Sequence, residues 1–499
     1  MTQAVCLVIP PSPFLLDERV FPFLGALKVA AVLEEAGWPV EVLDLSGIKN
    51  FIEAVKDYAS SSVPRYFGIT ATTPQFPAAV QIANAIRKVK EDARIIIGGP
   101  HATLVVAACK YEVAHKSIGR AHEAYRQLET NFDVIVAGDG EETIFLAVKD
   151  DAPKLIDADD RKSPYFLTDA ELDRTPFPAR HLIDLPSYRY TIDGTPALSL
   201  IAQLGCPYNC GFCAGRASPM LRNIRTRSNE SIVEEMNFLY RTYGYRGFMF
   251  YDDELNVSPK IIDLMQKIAK VGSDLSVEWK LRGFIKSERF TDEQAHSMFE
   301  AGFRQILIGF ESGSPRILKN IQKGATLEDN TRCMAIANRH HLKVKALMSL
   351  GHPGESEETI AQTREWLIEV KPSDFDVSII TPYPGSPYYD HALPIEARRG
   401  GKSVWAYSSK NGDRLYQEGV NYTEEADYYK GDPNEGYVSH VWTDHVSPET
   451  LVLRRNQLEQ EVREKLDIPF NQSRPATMYE SSMGQTPLLQ ILRNATPLT

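Results

Sequence analysis

The chain has 499 residues, 43% of them hydrophobic and 24% charged, and carries a formal net charge of −11. That length exceeds one hydrophobic core, so two or three domains are expected. The acidic balance argues against a nucleic-acid partner, which needs a basic face, and no run of about 18 apolar residues occurs to form a membrane-spanning helix. The N-terminus, Met1 to Val5, lacks the basic region of a signal peptide and runs directly into a strand. Six cysteines are too sparse for a disulfide framework, and reduced thiols point to the cytoplasm.

Apolar runs at Val5–Ile9, Val40–Asp44, Tyr66–Thr70, Arg94–Ile97 and Asp133–Val136 predict five buried parallel strands. Helical spacing over Phe23–Ala36 and about Gln75–Lys90 places helices between them. The alternation predicts an α/β fold that begins with a doubly wound, Rossmann-like parallel sheet over residues 1–150. Ligands of such sheets bind at the carboxyl ends of the strands. Those ends read Thr70-Ala71-Thr72-Thr73, Gly98-Gly99-Pro100-His101-Ala102-Thr103 and Gly138-Asp139-Gly140-Glu141-Glu142-Thr143. Glycines there let a bulky ligand approach the backbone, and hydroxyls supply hydrogen bonds. Neither GxGxxG nor GxxxxGK[ST] occurs, which disfavours NAD and ATP. Val105 to Phe132 reads as a polar connection with one or two surface helices.

Residues 151–195, rich in Asp, Pro and Arg, read as a linker with Pro176-Phe177-Pro178 as a rigid crossing. A strand at Leu198–Gln203 then delivers a loop containing Cys206, Cys210 and Cys213. Three thiols spaced this way can cover three corners of a [4Fe–4S] cube and leave the fourth iron open. A zinc site would close with four ligands, and the next cysteine, Cys333, lies far downstream. Cys6, Cys109 and Cys333 fall in an apolar strand and two helical patterns and are expected as buried small hydrophobes.

Strands at Gly247–Tyr251, Val277–Arg282, Gln305–Phe310, Val344–Leu350 and Phe375–Ile380 alternate with helices, predicting a partial (β/α)6 TIM-like barrel over 196–390. Their carboxyl ends carry Asp252-Asp253-Glu254, Glu311-Ser312-Gly313-Ser314 and Gly351-His352-Pro353-Gly354-Glu355. Residues 391–499 are expected to form a small α-rich cap or lid with a disordered tail after Pro469. Its aromatics, including Trp405, Tyr422, Tyr428 and Trp442, are interleaved with acids such as Asp413, Glu425, Asp432 and Glu435; they either line a substrate pocket or pack a lid. Leu451, Leu458, Val462 and Leu466 form one stripe of an amphipathic helix.

The cysteine loop, with Phe212 before its third cysteine, resembles that of the radical SAM enzymes, whose open iron is chelated by S-adenosylmethionine (SAM). The turns at 98–102 and 138–141, the latter with Asp139 where Glu is usual, resemble the cobalamin-binding domain of the B12-dependent subfamily. The resemblance implies a [4Fe–4S] cluster on Cys206, Cys210 and Cys213. It implies SAM near Phe212, Asp252, Asp253, Glu254, Arg282, Glu311, Ser312, Gly351, Pro353 and Gly354. It implies cobalamin over Thr72, Thr73, Gly98, Gly99, Pro100, His101, Gly138, Gly140 and Glu141. The DxHxxG motif is missing, so His101 is not expected to ligate cobalt. The implied activity is C-methylation of an unactivated carbon of a small molecule, through reductive SAM cleavage to a 5′-deoxyadenosyl radical and methylcobalamin. Reduced flavodoxin or ferredoxin is the implied electron donor. The alternatives are a B12 radical SAM cyclase or rearrangement enzyme, a non-catalytic iron–sulfur redox or regulatory protein, and a first domain that has lost its ligand.

Overall fold

The computed structural model describes residues 4–12, 15, 18–117, 119–429, 431 and 436–469. The tail expected to be disordered, from residue 470, lies outside the described residues, as do Asp432 and Glu435.

The first sheet has six parallel strands: β1 Val5–Ile9, β2 Val40–Asp44, β3 Tyr66–Thr70, β4 Arg94–Gly98, β5 Val134–Ala137 and β6 Leu155–Asp157. Their order, β2-β1-β3-β4-β5-β6, is doubly wound, with its switch point between β1 and β3. Alternate residues enter different cores, Cys6 and Val8 on one face and Val5 and Leu7 on the other. Both faces are covered by helices, which explains runs that are apolar throughout. The strand β6 lies in the stretch whose composition reads as linker; Leu155 and Ile156 pair with Ile135 and Val136 and continue the sheet. The polar connection before β5 folds as helix Arg120–Asn131, after helix Pro100–Ala114. Cys6 and Cys333 are buried as expected, whereas Cys109 is half-buried.

The second sheet is an open half-barrel. Its strands are β7 Thr191–Ile192, β8 Thr195–Leu200, β11 Gly247–Phe250, β12 Lys280–Phe284, β13 Phe303–Glu311, β14 Lys343–Leu350 and β15 Asp374–Ile379, in the order β15-β14-β13-β12-β11-β8-β7. Six of these run parallel, and β7 adds an antiparallel edge. Between β8 and β11 lies a small ribbon, β9 Gln203–Leu204 paired with β10 Arg225–Thr226. The strand expected at Val277–Arg282 starts three residues later, because helix Ile261–Leu275 runs up to a left-handed Ser276 (φ 54°) that turns the chain first. Ala197, Met249 and Leu307 fill the barrel with Val20 and Tyr190.

The C-terminal region is not α-rich. It is a four-stranded antiparallel sheet of β16 Leu393–Arg399, β17 Lys402–Ser408, β18 Arg414–Glu418 and β19 Val441–Thr443, followed by helix Pro448–Leu466. In β18 Leu415 and Gln417 point inward while Arg414 is exposed, a period-two pattern hidden by the polarity of the segment. The helix buries the stripe Leu451, Leu458 and Val462. It also fastens itself to β15: the Arg455 Nε donates to Val377 O (2.8 Å), and the Arg463 Nη2 donates to Phe375 O (2.5 Å). Among the described residues no helix is long and apolar enough to cross a membrane.

Candidate functional site

The cysteine loop leaves β9 and returns along residues 218–226 to β10. Gly205 enters it at φ +86°, and a Cβ there would lie 2.1 Å from Asn223 O, so only glycine fits. The Cys206 N–H donates to Leu221 O (2.9 Å), the Gly211 N–H to Ile321 O (2.7 Å), and the Cys213 N–H to Cys210 O (3.2 Å). The Phe212 ring packs on the barrel core, 5.4 Å from the His352 ring. All three thiols are free. Burial raises all three, Cys206 to about 11, so a metal centre must draw off their protons as it binds.

Around the loop stand groups of both signs. Burial pushes the Asp252 and Glu254 carboxyls up to about 7, the latter against the pull of Lys323 and Lys286, and it also raises Asp253. Asp252 Oδ1 accepts the N–H groups of Ala202 (3.0 Å) and Gln203, which ties the end of β11 to the strand entering the loop. Glu311 sits at φ +66°, a strained conformation for a residue with a side chain. Its Oε1 meets Lys323 Nζ at 3.0 Å, and its Oε2 accepts the Ser349 hydroxyl at 2.8 Å. Burial alone would raise this carboxyl, yet Lys323 and these hydrogen bonds hold it low. Burial would likewise discharge Lys323, but Glu311, Cys210 and Glu254 hold its pKa above that of an ordinary lysine. Lys286, 2% exposed, lies 4.0 Å over the Tyr208 ring of the loop and contacts Glu288 at 2.8 Å. Sequence reasoning missed both lysines, since only the fold brings them to Cys210.

The remaining residues of the SAM set divide. The Ser312 hydroxyl is turned inward, 3.1 Å from Thr363 Oγ1. Gly351 and Gly354 take positive φ in the turn after β14, and Pro353 O accepts Asn320 Nδ2 at 2.8 Å beneath the C-terminal sheet. Arg282 does not stand at a strand end: it points into the barrel and donates to Tyr190 Oη (2.8 Å), because its position on β12 is level with Met249 and not with Asp252.

In the first domain the strand-end polar groups satisfy one another. Thr72 caps a turn with Gln75, its hydroxyl donating to Gln75 Oε1 (2.9 Å). Thr73 Oγ1 lies 3.2 Å from His101 Nδ1. The His101 ring is fully buried, 4.1 Å from the Phe76 ring, and burial lowers its pKa to about 3. Gly98 ends β4, Gly99 takes φ +86°, and Pro100 opens the next helix, so the 98–100 turn presents backbone. At Gly138 (φ +93°) a Cβ would lie 2.6 Å from Ala158 C and Asp159 N; the turn accepts glycine alone. Gly140 then opens helix Gly140–Ala147. Burial and Asp139 raise the Glu141 carboxyl, opposed by Lys28.

These turns touch the cysteine loop's return segment: Asp139 Oδ2 accepts Arg225 Nη1 (2.5 Å), and Asp159 Oδ1 accepts the Ser218 hydroxyl (2.7 Å). The strand ends of both sheets therefore meet. To one side, a cavity of about 300 Å³ lies between helix Arg120–Asn131, the turn after β15 and the C-terminal sheet, lined by Arg120, Trp405, Tyr422, Glu425, Tyr428 and His440. Part of the aromatic–acidic segment thus lines a pocket.

A Radical SAM superfamily model matches residues 200–367, and a B12 binding domain model matches residues 18–129. An uncharacterized methyltransferase of Pyrococcus horikoshii is 27% identical over 407 residues, covering 78% of this chain and 83% of its own length. Cytidylyl-2-hydroxyethylphosphonate methyltransferase of Streptomyces wedmorensis is 25% identical over 419 residues, covering 73% and 76%. The fold is similar to that of TsrM, a radical S-adenosylmethionine methyltransferase from Kitasatospora setae solved with cobalamin and a [4Fe–4S] cluster bound. The TM-score is 0.58 at 19% identity, over 78% of this chain and 74% of that one. The chain thus matches a B12 binding domain and a radical SAM domain in succession, the pairing expected of cobalamin-dependent radical SAM enzymes.

Proposed function

We propose that this protein is a cobalamin-dependent radical SAM methyltransferase acting on an unactivated carbon of a small molecule. The observation that carries the reading is the seating of the three-cysteine loop directly on the strand-end turns of the first domain, through Asp139–Arg225 and Asp159–Ser218. The methyltransferase relatives in Pyrococcus horikoshii and Streptomyces wedmorensis support it. In this reading residues 1–150, with β6 extending their sheet, hold cobalamin, the rest of 151–195 connects, 196–390 hold the cluster and SAM, and 391–499 cover the mouth.

The donor sets suit those groups. Three free thiols, none in a disulfide, stand in one loop with two buried cations, Lys286 and Lys323, to offset the charge of their thiolates. The first domain offers a backbone cradle at Gly98, Gly99, Pro100, Gly138 and Gly140, flanked by Thr72, Thr73 and Glu141. When bound, the cluster supplies an electron, SAM the hydrogen-abstracting radical and cobalamin the methyl group. The chain's own work is placement and exclusion of water. Cys206, Cys210 and Cys213 bind the cluster as thiolates. Asp253, Glu254 and Glu311 face SAM, Phe212 flanks it, and Gly351, Pro353 and Gly354 shape the turn under it. Asp252 holds the backbone at Ala202 and Gln203, Ser312 accepts the Ser314 N–H, and Arg282 supports the barrel interior. His101 stays neutral inside the first domain and braces Thr73. Tyr383, whose ring meets those of Tyr428 and Tyr429, closes the space beside the mouth with them. The cavity at Arg120 and Trp405 receives the substrate. The reading places the protein in the cytoplasm, with reduced flavodoxin or ferredoxin as donor.

The test is anaerobic reconstitution with iron, sulfide, cobalamin and SAM, followed by chromatography. 5′-Deoxyadenosine together with retained corrinoid absorbance is expected. 5′-Deoxyadenosine without retained corrinoid would overturn methyl transfer, and no 5′-deoxyadenosine from fully iron-loaded protein would overturn the radical chemistry.

A further inference from the structure

We propose that Asp139, Asp159 and Arg225 are positioning residues that couple the glycine turns of the first domain to the cysteine loop, so that corrinoid bound on those turns fixes the loop's geometry. The proposal rests on the functional reading above.

The coupling is built around the loop's return segment, residues 218–226. That segment holds the first cysteine: the Cys206 N–H bonds to Leu221 O, Gly205 packs on Asn223 O, and Arg225 pairs with Leu204 across the β9–β10 ribbon. The first domain grips both ends of the segment. At its start Asp159 Oδ1 accepts the Ser218 hydroxyl and the Met220 N–H, each at 2.7 Å. At its end Asp139 Oδ2 accepts Arg225 Nη1 at 2.5 Å and the Leu167 N–H at 3.0 Å. Arg225 Nη1 also donates to Leu167 O (3.1 Å), with its guanidinium 4.9 Å from the Phe166 ring.

The two grips act as one unit. Asp139 stands between Gly138 and Gly140, and Gly138 packs directly on Ala158 and Asp159. A ligand that presses on the Gly138 turn therefore bears on both carboxylates. Asp139, Asp159 and Arg225 are 6%, 1% and 3% exposed. Burying such charges is a poor way to gain stability, because desolvation offsets most of the attraction. Two buried carboxylates aimed at one short segment are better explained by the register they impose on it. Cobalt chemistry and SAM chemistry must meet at one substrate carbon, and placement errors of about 1 Å are costly there.

The test is hydrogen exchange, followed by mass spectrometry, of peptides covering 204–226 in anaerobic holoprotein with the cluster oxidised, with and without hydroxocobalamin. In the native chain the corrinoid is expected to slow exchange in these peptides. In Asp139→Asn, which can keep an oxygen for Arg225 and Leu167, the two donors that share Oδ2, but removes its charge, that slowing is expected to vanish while iron content and corrinoid binding persist; Asp139→Glu should restore it. A purely structural contact would change exchange equally with and without corrinoid, so the same slowing in Asp139→Asn as in the native chain overturns the proposal. If Asp139→Asn does not fold, Ser218→Ala takes its place, and undiminished slowing there overturns it equally. A native chain that binds corrinoid without slower exchange at 204–226 also overturns it. A native chain that retains no corrinoid overturns the functional reading itself, and this coupling with it.

Discussion

At the carboxyl edge of the first sheet the polar side chains are spent on one another, whereas the edge of the barrel adds to such pairs, Glu311 with Lys323 and Ser312 with Thr363, a loop of three thiols. Thr72 bonds Gln75, Thr73 meets His101, and the Thr103 hydroxyl accepts the Gly138 N–H, so what this edge offers a ligand is shaped backbone. The barrel edge instead gathers three free thiols, carboxyls raised by burial, and two buried lysines. A large neutral ligand needs a surface that its bulk can approach; a charged cluster needs donors and counter-charges. The two halves of the site differ because their ligands do.

Four substitutions probe that contrast. The largest effect belongs to the barrel edge: Cys210→Ala should abolish cluster binding and all SAM cleavage, read as iron content and 5′-deoxyadenosine. Retained cleavage would contradict the ligand assignment. Glu311→Gln leaves Lys323 buried without its counter-charge and should cost about 4 kcal/mol in denaturant unfolding, since breaking one side of a buried pair strands the other; a loss under about 1 kcal/mol would show Lys323 already compensated by the thiols.

The first-sheet edge should reveal itself through pH. His101 has a folded pKa of about 3 against an ordinary value near 6.5, so the unfolded chain binds its proton first. Its neutral, buried state is fully favourable above pH 6.5, and stability is lost as pH falls from there toward 3. Relative to His101→Phe, the native chain should lose on the order of 3 kcal/mol between pH 7 and pH 4. Parallel pH curves for the two proteins would contradict the burial. The smallest effect is expected inside the barrel, where Tyr190→Phe removes the phenol facing Arg282 and should cost about 1 kcal/mol without altering SAM cleavage.

What was legible in the sequence is what lies close along the chain. Strand-end turns such as Gly98–Thr103 and Gly138–Thr143 stand out because a short apolar run stops at glycine, and the cysteine loop carries its spacing within eight residues. Five strands of the first sheet and the six parallel strands of the barrel follow from those signals. What was not legible depends on distant partners. Lys286 and Lys323 look like ordinary surface lysines until the fold brings them to Cys210. The strand β6 hides in a polar stretch because only its middle residue, Ile156, is fully buried. The strand β16 is exposed along nearly all its length, so its charged sequence carries no burial pattern, and the C-terminal region was expected to be an α-rich cap. Arg282 was expected near SAM, but the strand's register sets it beside Tyr190 and not at the mouth.

The central claim, that both edges open on one shared site, is tested most directly by electron paramagnetic resonance of protein loaded with cob(II)alamin and the cluster. Reduction of the cluster should split or broaden the cob(II)alamin signal through magnetic coupling between neighbouring centres. A cob(II)alamin spectrum and relaxation unchanged by cluster reduction would place the two groups apart and contradict the account.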